Sequence, residues 1–273
     1  MKLVKTLLLL VSLTLVFGLT ACGSKSAEDV FKQASQKAKD IKNFKNDLTA
    51  TIKLTNGGDS MEVTTDAKVQ AQVKPAVIHM NMGMHAGGDS MNMETYLNNN
   101  DAFMKITGVP QWIKVSDVSD ELNLNKTSAN VDPKKLFDQL KDVVDKMELK
   151  DTKDGYEFHV KSTDGKMDKF LKKYVKESMP NDQQSSKDIE QAIDNMKIKK
   201  VDLTYIIDKK TYYPKKFNMN LTADLKDESG NKMTINENAK SSYHDINKTD
   251  AIKVPDDVKN NAIEVPKDQL QGL

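Results

Sequence analysis

Along the chain the apolar residues change their spacing. Val30, Phe31, Ala34, Ala38 and Ile41 recur at helical intervals behind Ser26-Ala27-Glu28-Asp29, which fits a capping box. From residue 47 the period falls to two. Leu48, Ala50, Ile52 and Leu54 alternate with Thr49, Thr51 and Lys53, and a turn at Asn56-Gly57-Gly58-Asp59 follows. The next strand sets Met61, Val63, Thr65, Ala67, Val69, Ala71 and Val73 against polar neighbours. Such a run of thirteen residues extends about 43 Å, and a strand that long twists and curls.

After Pro75 a third strand carries Ile78, Met80, Met82 and Met84 on one face, with His79, Asn81, Gly83 and His85 on the other. The turn "HAGGDS" leads to Met91, Met93, Thr95 and Leu97, opposite Asn92, Glu94, Tyr96 and Asn98. A further hairpin holds Met104 and Ile106, then Gly108-Val109-Pro110 and Trp112-Ile113-Lys114-Val115.

A helix is predicted from Asp132-Pro133 with the stripe Leu136, Phe137, Leu140, Val143, Val144 and Met147. "DGYEFHVKST" reads as a strand. Two more helices carry Met167, Phe170, Leu171, Tyr174 and Val175, and then Ile189, Ala192, Ile193 and Met196. Alternation returns in Val201 to Ile207, in Phe217 to Leu225, and in Met233, Ile235 and Ala239. The end is polar and punctuated by proline, a strand end and loose tail in which Asp256-Asp257 reads as a solvated turn. Nine or ten strands joined mainly by hairpins make an antiparallel sheet with one apolar face, the one large partner for the helical stripes. The expected class is α+β: a strongly curved antiparallel half-barrel with helices packed on its concave apolar face. Both halves run helix first and strands second, a hint of duplication.

The N-terminus changes the setting. Lys2 and Lys5 precede an apolar run from Leu7 to Leu19, too short to span a membrane, and Leu19-Thr20-Ala21-Cys22 resembles the lipobox of bacterial lipoproteins. Cys22 is the single cysteine of 273 residues, so disulfides, thiolate metal sites and cysteine nucleophiles are excluded. The expected organisation is a signal peptide over 1–21, an acylated anchor and short tether over 22–26, one domain over 27–265 and a loose tail over 266–273. The expected location is the extracytoplasmic face of the cell membrane. Four extended residues reach about 14 Å, so the tether holds the domain, and with it a cavity mouth, close to the bilayer. Loss of Lys2 and Lys5 takes the formal charge from +1 to about −1. All 41 basic residues are lysine, leaving no planar fork for bidentate phosphate or guanine recognition, so nucleic acid is not an expected partner.

The lipobox, the helix beside it, the long curled sheet and the interposed helices together resemble the LolA/LprG-like lipoprotein-carrier superfamily. "AFMKITGVPQWIKVS" and "YIIDKKTYYPKKFNMNLT" are similar to segments of an uncharacterised Gram-positive branch of that superfamily, with Gly108-Val109-Pro110 departing from its Pro-Gly order. The resemblance implies binding of acyl chains or lipidated cargo between sheet and helices, without catalytic residues.

Three readings of the methionines stay open. Met61, Met80, Met82, Met84, Met91, Met93, Met104, Met219 and Met233 share the apolar parity. Thioethers suit Cu(I), although both nearby histidines fall on the other face. Methionine also fills plain cores, and it suits adaptable apolar cavity walls. Trp112 fits either a lid over such a cavity or a packing anchor. His159 and His244 lack an adjacent pattern that would activate a nucleophile, and no G-x-S-x-G, H-E-x-x-H or phosphate loop occurs. The leading expectation is a non-enzymatic lipoprotein that uses no cofactor and takes a lipid or other amphiphile into a cavity lined by Met61, Met80, Met82, Met84, Met91, Met93, Met104, Met219 and Trp112. The alternative is a solid-cored envelope module that docks a partner protein.

Overall fold

The computed structural model describes residues 25–98, 100–118, 147–162, 168, 171–172, 193–226 and 232–266. Helix α1 (Ala27–Ala38) is followed by β1 (Asn43–Asn56), β2 (Asp59–Gln72), β3 (Val77–Ala86), β4 (Asp89–Asn98), β5 (Asp101–Ile106) and β6 (Ile113–Ser116). Then come β7 (Glu148–Thr152), β8 (Gly155–Ser162), β9 (Lys197–Ile207), β10 (Pro214–Lys226), β11 (Lys232–His244), α2 (Asp256–Asn261) and β12 (Ile263–Glu264).

Among the described residues these strands make one open sheet in the order β12-β6-β5-β4-β3-β2-β1-β11-β10-β9-β8-β7. Two antiparallel meanders, β1 to β6 and β7 to β11, join where β1 pairs with β11 from Lys45↔His244 to Asn56↔Met233. The parallel β12·β6 pair is the exception. Twelve strands replace the nine or ten expected; β7, at one margin, was not anticipated as a strand, and β12, at the other, falls in the C-terminal segment expected to hold a strand end. Strands there bury little, so "ELKDT" and "IE" carry no apolar alternation to announce them.

Ser26 caps α1 by accepting from the Asp29 amide at 3.1 Å. The helix buries Val30, Phe31, Ala34 and Ala38. Phe31 meets Phe158 of β8 edge to face, ring centroids 6.0 Å apart. Just before the helix, Lys25 lies 5.8 Å over the Tyr156 ring at the start of β8, and just after it the chain enters β1. Twelve helical residues rise about 18 Å, and β8 to β1 is four strand spacings, about 19 Å. The helix therefore crosses the strands at the end of the sheet that bears the turn Asp208–Tyr213.

Below α1 the main core joins Ala67, Val69 and Ala71 of β2 to Val201, Leu203 and Tyr205 of β9 and to Met219 and Leu221 of β10. Full burial of each large apolar side chain contributes roughly 1.5–3 kcal/mol. The three predicted inner helices lie largely outside the described residues: of the first only Met147 is described, of the second 168 and 171–172, and of the third 193–196. Leu171 and 193–195 are helical, and Leu171, Met147 and Met196 are buried in this same core.

The C-terminal segment departs from expectation. Asp256 and Asp257 open α2 instead of a solvated turn, and Val258 of that helix is buried with Val254, Tyr96 and Phe103, with Trp112 packed alongside. Tyr96 and Phe103 share the parity of His79, so this small cluster covers the reverse side of the sheet.

Candidate functional site

Register arranges the apolar face in rows. Phe44, Ala71, Ile78, Leu97, Ala102 and Val115 form the first, at the end near α1. Val69, Met80, Thr95, Met104 and Ile113 form the next. Then come Leu48, Ala67, Met82, Met93 and Ile106, and after them Ala239, Ala50, Thr65, Met84 and Met91. Met82 faces Met93 directly and Met84 faces Met91, so four thioethers adjoin on β3 and β4. Side chains so paired have Cβ atoms about 5 Å apart.

Burial falls row by row away from α1. Met219 lies in the core, Met80 and Met82 pack partly buried against it, and Met104 packs against the smaller cluster of Leu97, Ile113 and Val115. Met84 and Met93 are half-buried. Toward the hairpin tips Ile52 and Met91 are each 38% exposed and Met61 is 53% exposed. Those tips, at 56–59 and 86–89, lie at the opposite end of the strands from Lys25 and Asp208–Tyr213. With eleven residue steps from Asn43 to Leu54, the partner of Met61, the separation is roughly 37 Å. The exposed methionines therefore lie at the far end of the strands from Lys25.

Trp112 is not brought together with the methionines. Its ring lies 5.8 Å from Tyr96 on the reverse side, with Lys105 Nζ 6.0 Å above it. All four histidines also point that way: His79 bonds Glu94 at 2.9 Å, His159 bonds Asp202 at 2.9 Å, and His244 bonds Asp47 at 3.2 Å. These carboxylates arrive from neighbouring strands, which is why no local motif revealed them. Among the described residues no cluster of three or more His, Cys, Asp or Glu side chains could hold a metal. Cys22 lies outside the described residues.

A groove of about 770 Å³ opens on the reverse face around Gly83. Asp66, Lys68, Asn81, His85, Asn92 and Lys105 wall it, and Met82 and Met93, which alternate with those residues, border it. A Cβ on Gly83 would stand 3.3 Å from Asn92 Oδ1 and 3.6 Å from His85 Nε2.

One residue of the apolar face escaped sequence reasoning. Glu237 of β11 pairs with Ile52 on β1 and with Leu221 on β10, and sits between Ile235 and Ala239 along its own strand. Burial among these groups pushes its carboxyl above the usual range. The signal was a single charged residue at an apolar parity position between Ile235 and Ala239.

A family model described as a family of unknown function (DUF6612) matches residues 26–263. No curated protein matches the chain significantly. Among solved structures the chain is similar to LprF from Mycobacterium bovis, at 11% identity and a TM-score of 0.42 over 84% of this chain and 96% of that one. It is also similar to a putative outer membrane lipoprotein-sorting protein domain from Vibrio parahaemolyticus, at 10% identity and 0.28 over 86% and 98%. A DUF1329 family protein from Desulfovibrio piger matches at 8% identity and 0.24 over 86% and 97%.

Proposed function

The chain belongs to the DUF6612 family, a family of unknown function, and from that premise we propose that it is an extracytoplasmic lipoprotein, acylated at Cys22 after removal of residues 1–21, that binds the hydrocarbon part of a lipid or other amphiphile. The binding surface is the apolar side of the sheet, taken as the concave side of a half-barrel, with Met61, Met82, Met84, Met91 and Met93 in contact with the chain.

The observation that carries this reading is the gradient of burial on one continuous face. Ile52, Met61 and Met91 are three of the four exposed large hydrophobics among the described residues, and all three continue the face whose other end is the core. Contiguous exposed apolar surface marks a site of binding. Methionine suits it, because a flexible and polarisable side chain adapts to ligands of varied shape. Each buried CH₂ of a ligand contributes about 0.8 kcal/mol, so ten carbons offset much of the cost of leaving a bilayer.

Native mass spectrometry of protein purified without detergent tests the proposal. A co-purifying lipid, or uptake of a fluorescent fatty acid by protein that carries none, is the expected result; protein that is empty and takes up no fatty acid overturns it.

A further inference from the structure

Glu237 stands where a carboxylate is costly. Its cross-strand neighbours are Ile52 and Leu221, its neighbours along β11 on the same face are Ile235 and Ala239, and the adjoining positions on β1 and β10 are Ala50, Leu54, Met219 and Ala223. None of these bears a charge. Lys53, Asn236 and Asn238 alternate onto the reverse face. Among the described residues the Glu237 carboxylate has no hydrogen bond or ion pair, and between the hairpin tips it is the one charged side chain that β1, β2, β3, β4, β10 and β11 place on the apolar face.

A fold chosen for stability alone would put leucine here, since a half-buried carboxylate without a partner loses hydration and gains nothing in return. Among the described residues no lysine is set against it. A bound ligand can supply the counter-charge. Glu237 also lies at the border of the exposed area, directly beside Ile52. From there the row Ala50, Thr65, Met84 and Met91 runs across β1 to β4, a track about 14 Å long in which Ala50 and Thr65 are smaller than the flanking Leu48, Ile52 and Val63.

We infer that Glu237 is the headgroup contact of this face, and that the amphiphile it takes carries an ammonium head, its hydrocarbon lying along Ala50 and Thr65 toward Met84 and Met91. The inference rests on the proposal that the apolar face binds a hydrocarbon chain. A carboxylate or phosphate head would set like charges together, and a hydroxyl head would leave the Glu237 charge uncompensated. An ammonium group satisfies it with a charge-assisted hydrogen bond.

The test uses the mature chain, residues 22–273 with Cys22→Ser, which keeps every residue of α1 and of the sheet. Dodecylammonium, dodecanoate and dodecanol, each below its micelle concentration, compete against a fluorescent alkyl probe. Dodecylammonium is expected to bind about tenfold more tightly than the other two. That preference should grow as pH rises and Glu237 ionises. Glu237→Gln, of the same shape, should abolish the preference while leaving dodecanol binding in place, and Glu237→Leu should do the same with a raised melting temperature. Equal affinity for the three heads, or a preference that survives Glu237→Gln, overturns the head assignment alone. Failure of all three to bind removes the apolar-face proposal and the head assignment with it.

Discussion

The His79 ring stacks on the Tyr96 ring with centroids 4.2 Å apart and planes 6° from parallel, on the side of the sheet away from Met80. Trp112 joins that stack through Tyr96, and Val254 and Val258 cover it. The single tryptophan therefore reports on the docking of α2 and not on the methionines. Saturating the protein with an alkyl ligand is expected to leave Trp112 emission unchanged. Val258→Asp places a charge in a site only 3% exposed, and it should shift the emission to the red as α2 leaves, while far-UV circular dichroism keeps the sheet signal. A large emission change on ligand binding would show that the apolar face and the reverse cluster communicate.

Met84 and Met91 are paired across β3 and β4 where the face opens to solvent, whereas Met219 belongs to the core. Substitutions should separate binding from stability accordingly. Met84→Ser with Met91→Ser is expected to reduce fatty-acid uptake by at least about tenfold while costing about 1–2 kcal/mol, because both side chains are only partly buried. Met219→Ala should cost about 2–5 kcal/mol by leaving a cavity. Urea unfolding alongside the fluorescent uptake assay measures both, and equal loss of stability in the two variants would remove the distinction.

Strands with one buried and one wet face were legible because their side chains alternate with the pleat; β1 to β4 and β9 to β11 fall where the period-two runs predict. Helix α1 was legible from Ser26 and its stripe. Parity also placed Met80, Met82 and Met84 together on one side, and His79 and His85 on the other. What required the fold was everything set by register between distant strands: the Met84–Met91 and Met82–Met93 pairs, the carboxylate partners of His159 and His244, and the surroundings of Glu237. Helix α2 is too short for a full apolar stripe, and its one buried residue, Val258, looks from sequence like part of a polar tail. Trp112 is separated from the methionines by the thickness of the sheet, a distinction invisible where a loop interrupts the alternation.

Gly155 is a position where backbone space decides stability. It has φ of +153°, and a Cβ there would stand 2.3 Å from the Ile207 carbonyl oxygen on β9. That carbonyl is held in the β8·β9 ladder, where Tyr156 is paired with Ile207. Gly155→Ala is expected to force the β7–β8 hairpin away from β9 and cost about 2–4 kcal/mol, read by thermal unfolding. The neighbouring Asp154→Ala, in an exposed turn, should change stability by less than about 0.5 kcal/mol.

Asp224 gives a pH dependence with a definite sign. A register shift in the β9·β10 pairing near Thr222 and Ala223 accompanies the approach of Lys199, whose Nζ lies 2.9 Å from the Asp224 carboxylate. Lys232 approaches to 3.1 Å, and Thr234 Oγ1 donates at 3.0 Å. The Lys199 hydrogen bond, opposed by burial and aided by Lys232 and Thr234, lowers the carboxyl to about 2. The folded value lies below the unfolded value near 3.8, so this stabilisation is fully present above about pH 4 and disappears as pH falls toward 2. Because both lysines are largely exposed, water and salt reduce its worth to about 1–2 kcal/mol. Asp224→Asn, which leaves two ammonium groups facing one another, should be destabilised by that amount at pH 7 and match the unsubstituted protein near pH 2. Urea midpoints taken across this range at low salt measure the difference, and a gap between the two proteins that is constant from pH 7 to pH 2 would assign the loss to packing instead of charge.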